Sequence, residues 1–253
     1  MKTIMKAIVF TLRVIAAVAA GLVGLAAIFW IVRGLVHRPA VTTVVVLRDV
    51  TDTFGAQPDV GEILELFDRS AAGRWNGARL LASTVTDVTY NRVAEVKMKP
   101  DNKWLSNELQ RNKEVKQFQS DVVDVVALVS SEAAGRSHSS VYRAIAVQLT
   151  RLADHESTTK IFVVYSDLME NSPDLSMYDD STFRALQTDP GSVAALFEQQ
   201  QPLPSLDGID VRLIHQPTDA ARDRQYRIVS GFYRNLLESK GARVQIGANV
   251  FKP

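Results

Sequence analysis

The chain contains no cysteine. Disulfide cross-links, thiolate metal sites and cysteine nucleophiles are therefore excluded. Its first 40 residues contain no acid; their charged side chains are Lys2, Lys6, Arg13, Arg33 and Arg38. With 29 basic and 28 acidic residues in the whole chain, residues 41–253 hold 24 basic against 28 acidic ones. A mildly acidic remainder argues against nucleic-acid binding, which needs a basic stripe. The phosphate-binding patterns G-x-x-x-x-G-K-S/T and G-x-G-x-x-G are absent, as is the G-x-S-x-G nucleophile elbow. His138, His155 and His215 lack metal spacing such as H-x-x-x-H and read as surface or packing residues. There is no internal repeat.

What is present begins with an apolar run. Val14 to Val32 is 19 residues long and carries no charge. As a helix it extends about 30 Å, the thickness of the hydrocarbon core of a bilayer. Arg13 borders one end and Trp30, Arg33, His37 and Arg38 the other, as suits membrane interfaces. A cleaved signal peptide would have a shorter apolar region ending in an A-x-A-like site. Here Ala17-Val18-Ala19 lies inside the run. The expected organisation is a basic segment at 1–13, a transmembrane helix at 14–36, a linker at 37–40 and one domain at 41–253. The slight excess of Lys and Arg before the span favours a cytoplasmic amino terminus. That makes the chain a single-pass membrane protein with an exported, periplasmic or extracytoplasmic domain.

Beyond Pro39 the pattern changes. Val41-Thr42-Thr43-Val44-Val45-Val46-Leu47 is a continuous β-branched run, as expected of a strand buried on both faces of a parallel sheet. Lys160–Ser166 and Ile209–Ile214 repeat the signal, and shorter strands are expected at Ala78–Ser83, Val93–Met98 and Arg243–Ile246. Helical periodicity separates them at Val60–Phe67, Trp104–Glu132, Val141–Leu152 and Ala220–Lys240, with Gly241 placed as a C-cap. Strands alternating with helices predict an α/β fold, a doubly wound, mostly parallel sheet flanked by helices. Asn171–Leu206, with four prolines, breaks the rhythm and reads as an insertion with one or two short helices near the C-terminal edge of the sheet. It is expected to shape partner choice.

In such sheets ligands bind beyond the carboxyl ends of the strands. Arg48-Asp49-Val50-Thr51-Asp52-Thr53 follows the first strand. Ser166-Asp167-Leu168-Met169-Glu170 follows the strand at 161–165. Gly135-Arg136-Ser137-His138-Ser139-Ser140 opens the helix before that strand. Together these loops offer carboxylates and hydroxyls, a hard-oxygen set suited to Mg²⁺, Mn²⁺ or Ca²⁺ rather than Zn²⁺. Capping is the plainer use for the same residues: Asp49 and Thr53 for the first helix, Ser139 for the helix at 141, and Asp167 for a following turn. Asp52 reads either as a support behind the ligands or as a solvated residue, and Glu170 either as added negative charge beside Asp167 or, more simply, as a surface residue.

D-x-T-x-T after a buried first strand resembles the D-x-S-x-S loop in the metal-ion-dependent adhesion site (MIDAS) of von Willebrand factor type A (VWA) domains. The resemblance implies Asp49, Thr51 and Thr53 as first-loop ligands. It implies Ser139, five residues before Ala144-Ile145, in the second loop, and Asp167 of Ser166-Asp167-Leu168 in the third. Order and strand context match across residues 41–250. Three departures stand out: Thr replaces both loop-one serines, Leu168 stands where the family usually has Gly, and the Gly-Gly before the second-loop hydroxyl is missing. The implied function is a membrane-anchored protein-binding module, not an enzyme. Its Mg²⁺ (or Mn²⁺ or Ca²⁺) would bridge to an acidic residue of a protein partner. Asp-Val-Thr-Asp-Thr also has the spacing of the phosphorylated loop of haloacid-dehalogenase-like phosphatases, with Asp49 as nucleophile. That reading needs a later lysine and a second acid pair at a strand end, which the sequence does not supply. A third possibility is a metal-free structural scaffold in a membrane assembly.

Overall fold

β1 (Val41–Asp49) carries the β-branched run, and eight of its nine residues are buried. Val44 and Val46 point to one face of the sheet, Val45 and Leu47 to the other, and each face has its own apolar core. Each side chain so enclosed contributes roughly 1.5–3 kcal/mol. This is why the run does not alternate in polarity.

The computed structural model describes residues 18–30, 40–51, 56–70, 74–85, 93–102, 106–132 and 138–251. The chain divides into two units, residues 1–39 and 40–253. In the first, residues 18–30 form a helix, α1, in which every residue is exposed, including Leu22, Val23, Leu25, Phe29 and Trp30. Among the described residues no helix is long and apolar enough to cross a membrane. The remainder of the span expected at 14–36 lies outside the described residues.

In the second unit β1 is followed by α2 (Val60–Ser70), β2 (Gly77–Val85), β3 (Val93–Met98), α3 (Glu108–Ser131), α4 (Val141–Asp154) and β4 (Thr159–Tyr165). Then come a small hairpin of β5 (Asn171–Ser172) and β6 (Leu175–Ser176), and the helices α5 (Asp180–Thr188) and α6 (Pro190–Gln200). β7 (Ile209–Ile214), α7 (Ala220–Glu238) and β8 (Arg243–Gly247) complete the unit. Six strands form one sheet in the order β3-β2-β1-β4-β7-β8. All neighbours are parallel except β2 and β3. The order runs outward from β1 in one direction and then from β4 in the other. The winding therefore reverses between these two strands, where open α/β sheets form their ligand crevice. The fold is α/β and Rossmann-like, as the alternation of strand and helix signals implied.

α2 and α3 cover one face of the sheet, while α4, α7 and the inserted segment cover the other. The insertion is more than an edge appendage. Leu186, Val193, Phe197, Leu203 and Leu206 all lie in the core with α4 and α7. The Phe197 ring stacks on Tyr142 at 4.2 Å, and the Tyr142 hydroxyl donates to the Gln201 carbonyl at 2.7 Å. Two buried arginines fasten the opposite face. Arg111 of α3 donates to the carbonyls of Arg74, Asn76 and Lys99, closing the end of the sheet where β2 begins. Arg48 of β1 donates to the carbonyls of Val129, Ser130 and Glu132. These are groups that the end of α3 leaves without helical partners.

At the far end of α7 the C-cap is Ser239 rather than the expected Gly241, which lies two residues beyond it in the left-handed conformation. Gly241 has φ +98, its N–H donates to the Glu238 carbonyl, and a Cβ there would run into the Asp207 carboxylate.

Candidate functional site

Asp49 is the last residue of β1 and is 3% exposed. A carboxylate removed from water needs compensating hydrogen bonds. Asp49 has them from both directions. Its Oδ1 accepts from the Thr51 N–H at 2.9 Å and from the Thr51 hydroxyl at 2.6 Å. Its Oδ2 accepts from the Ser166 hydroxyl at 2.9 Å. Ser166 follows directly on β4, the parallel neighbour of β1, so this bond ties the first and third loops across the switch point.

Ser166 also accepts the Leu168 N–H on its Oγ at 2.8 Å, giving a relay from Leu168 N–H through the Ser166 hydroxyl to Asp49. Asp167 Oδ1 accepts the Met169 N–H at 2.9 Å, a tight local turn. Between them Leu168 adopts φ +63, the only positive φ of a non-glycine residue among the described residues. This left-handed region favours glycine, because a Cβ crowds the carbonyl that follows. The backbone at this leucine thus takes a conformation usual for glycine. The Leu168 side chain is fully buried in the α4/α7 core, and that burial offsets the cost.

The second loop meets the third. Ser139 is 4% exposed and exchanges both backbone hydrogen bonds with Asn171 at 3.0 Å. Its hydroxyl donates to the Met169 carbonyl at 3.4 Å. The third loop is thus the hub: Ser166 reaches Asp49, and residues 169 and 171 hold Ser139. Asp49, Thr51, Ser139 and Asp167 are therefore gathered around one loop at the ends of β1 and β4. Thr53 and Asp52 lie outside the described residues.

Several capping roles fall elsewhere than the sequence suggested. α2 is capped by Asp59, whose Oδ1 accepts the Glu62 N–H at 2.9 Å, and not by Asp49. The N-cap of α4 is Ser140 rather than Ser139, and its side chain makes no capping bond. The turn-capping role of Asp167 does hold. Glu170 is the residue that sequence reasoning missed: expected at the surface, it is 1% exposed. Its Oε2 accepts the Tyr142 N–H of α4 at 2.8 Å. Burial pushes its carboxyl up to about 7, against the hydrogen bonds from Tyr142, Ser172 and Val141, and the nearby charge of Asp49 pushes the same way as burial. Below it lies Tyr233 of α7, fully buried, whose hydroxyl has no hydrogen-bond partner among the described residues. Burial raises that phenol well above its ordinary value, with Glu170 the largest charged contributor.

The donor set is all oxygen, two carboxylates and two hydroxyls among the described residues, and hard cations such as Mg²⁺ prefer oxygen. Among the described residues no group of three or more His, Cys, Asp or Glu side chains is arranged to hold a metal ion. An ion here would therefore rely on hydroxyls and water to complete its shell. A phosphatase would need a lysine at this end of the sheet, whereas Lys160 stands near the start of β4, at the opposite end of the strand, where its Nζ donates to the Ala153 carbonyl at 2.6 Å. Comparison of the chain with protein-family models and with curated proteins gives no match to either.

Proposed function

We propose that residues 41–253 form a VWA-type interaction domain. Asp49, Thr51, Thr53, Ser139 and Asp167 would hold one divalent cation, and the domain would be tethered to a membrane through the apolar segment at 14–36. The observation that carries this reading is the convergence at the switch point: the hydroxyl of Ser166 bonded to Asp49, with Ser139 held against the same third loop. A bound Mg²⁺ or Mn²⁺ would supply Lewis acidity and an open coordination position. A carboxylate of an acidic partner protein fits that position. The anchor reading draws support from the composition of α1, which is apolar all round, as helices that span membranes are.

A metal-free scaffold is the second reading, and one observation favours it: Asp49 already accepts at least three hydrogen bonds from the described residues. The phosphatase reading draws no such support, given where Lys160 stands.

A ligand that binds only the folded chain raises its melting temperature. Thermal unfolding of the full chain in detergent, in excess Mn²⁺ and in EDTA, separates the first two readings. The ion-binding reading expects Mn²⁺ to raise the midpoint of the wild type and to leave that of Asp49→Ala unmoved. A wild type indifferent to Mn²⁺, Mg²⁺ and Ca²⁺ alike favours the scaffold.

A further inference from the structure

The first amides of α4 pose a problem that its own sequence does not solve. Val141 and Tyr142 are both fully buried, and the opening N–H groups of a helix have no partners within it. Ser140, in the capping position, offers them no side-chain bond. The acceptor comes from another loop. Glu170 Oε2 takes the Tyr142 N–H at 2.8 Å, and its carboxylate also hydrogen-bonds Val141 and Ser172. A negative charge at this end of a helix is favoured by the helix dipole as well.

Glu170 fastens more than the helix. Its backbone carbonyl accepts the Met177 N–H at 2.8 Å, securing the chain just beyond β6. Its two chain neighbours hold Ser139: the Met169 carbonyl accepts the Ser139 hydroxyl, and Asn171 pairs with the Ser139 backbone. The stretch 139–142 is thus gripped at both ends by residues 169–171, and Glu170 supplies the grip on the helix side.

We propose that Glu170 is the positioning residue of the candidate site. By capping α4 from the third loop it fixes the second loop, and with it the Ser139 hydroxyl, relative to Asp167, without itself touching an ion. The role rests on the cation-site reading above for its functional meaning. The clamp on α4 can be tested without that reading.

Reach and charge can be separated. Glu170→Gln keeps an oxygen at the same reach and removes the charge, whereas Glu170→Asp keeps the charge and shortens the reach by one methylene. Both are made in the full chain. Two quantities are measured: hydrogen exchange at the amides of Val141 and Tyr142, and affinity for Mn²⁺. The expected pattern is that Glu170→Asp exchanges these amides about tenfold faster and binds Mn²⁺ about 10–100-fold more weakly, the usual cost of losing a supporting contact behind a metal ligand. Glu170→Gln stays within about threefold of wild type in both, as expected when the acceptor is retained. Loss in Glu170→Gln with retention in Glu170→Asp overturns the proposal in favour of a role for the charge alone. Equal loss in both variants, or no change in either, overturns it too. A wild type that binds no Mn²⁺ defeats the cation reading instead. The exchange rates then decide whether Glu170 clamps the second loop to the third.

Discussion

The Ser166 hydroxyl donates to Asp49 Oδ2 at 2.9 Å, across the ends of two parallel strands that lie side by side but are more than a hundred residues apart in sequence. The same oxygen accepts the Leu168 N–H, so Ser166 is at once donor and acceptor in a buried relay. Ser166→Ala leaves an amide and a carboxylate oxygen each short of a partner. Unsatisfied buried polar groups cost about 1–3 kcal/mol each. Urea unfolding of the full chain is expected to show a loss of at least about 1 kcal/mol on that scale. Stability equal to wild type would mean that the bond contributes nothing to joining the loops.

Leu168 gives a test with an unusual sign. In ordinary backbone alanine is more favourable than glycine, because glycine loses more freedom on folding. At φ +63 the order reverses, since alanine keeps the Cβ that the left-handed region disfavours. Both Leu168→Ala and Leu168→Gly lose the buried side chain and are destabilised by roughly 2–5 kcal/mol. Between the two, Leu168→Gly is expected to be the more stable by about 1 kcal/mol. Denaturation midpoints in the opposite order would show that the third loop does not hold this conformation in solution.

Glu170 sets a pH dependence of defined sign. Its folded carboxyl lies at about 7, above the ordinary value of 4.5, chiefly because it is buried. The folded state therefore holds this proton more tightly than the unfolded chain. The stabilisation is fully present below about pH 4.5 and is lost as pH rises through about 7, a change of up to about 3 kcal/mol. His155 also titrates in the folded chain below its ordinary value, through burial and the neighbouring Arg79. The informative quantity is therefore the difference between wild type and Glu170→Gln. From pH 5 to pH 7.5 wild type is expected to lose stability relative to the variant. A constant difference across that range would contradict the buried, proton-binding environment described here.

The runs at 41–47 and 160–166 were legible as β1 and β4 because short, largely apolar and β-branched segments suit strands covered on both faces, and 209–214, where Asp210 and Arg212 alternate with buried apolar residues, was legible as β7 by its strand spacing. The site loops were legible by the same route, since loops after buried strands of an open sheet converge. The direction of β3 was also available in principle. Residues 86–92 are too few for a parallel crossover, which needs a dozen or more, so β3 had to turn back beside β2. Glu170 was not legible. Its burial depends on the hairpin of β5 and β6 folding back beside it and on amides of α4 that come from a distant part of the chain, and no local pattern announces either. The packed role of the insertion was hidden for a similar reason. Its prolines and polar residues dominate its composition, while a few apolar residues, Phe197 among them, do the packing.

The most direct test of the cation site is calorimetric titration of Mg²⁺ and Mn²⁺ into the full chain and into Asp49→Ala and Asp167→Ala, with the fold of each variant checked by circular dichroism. The expected result is saturable one-site binding in the wild type that disappears in both folded variants. No saturable binding in the wild type, or binding that survives both substitutions, would contradict a cation held between the ends of β1 and β4.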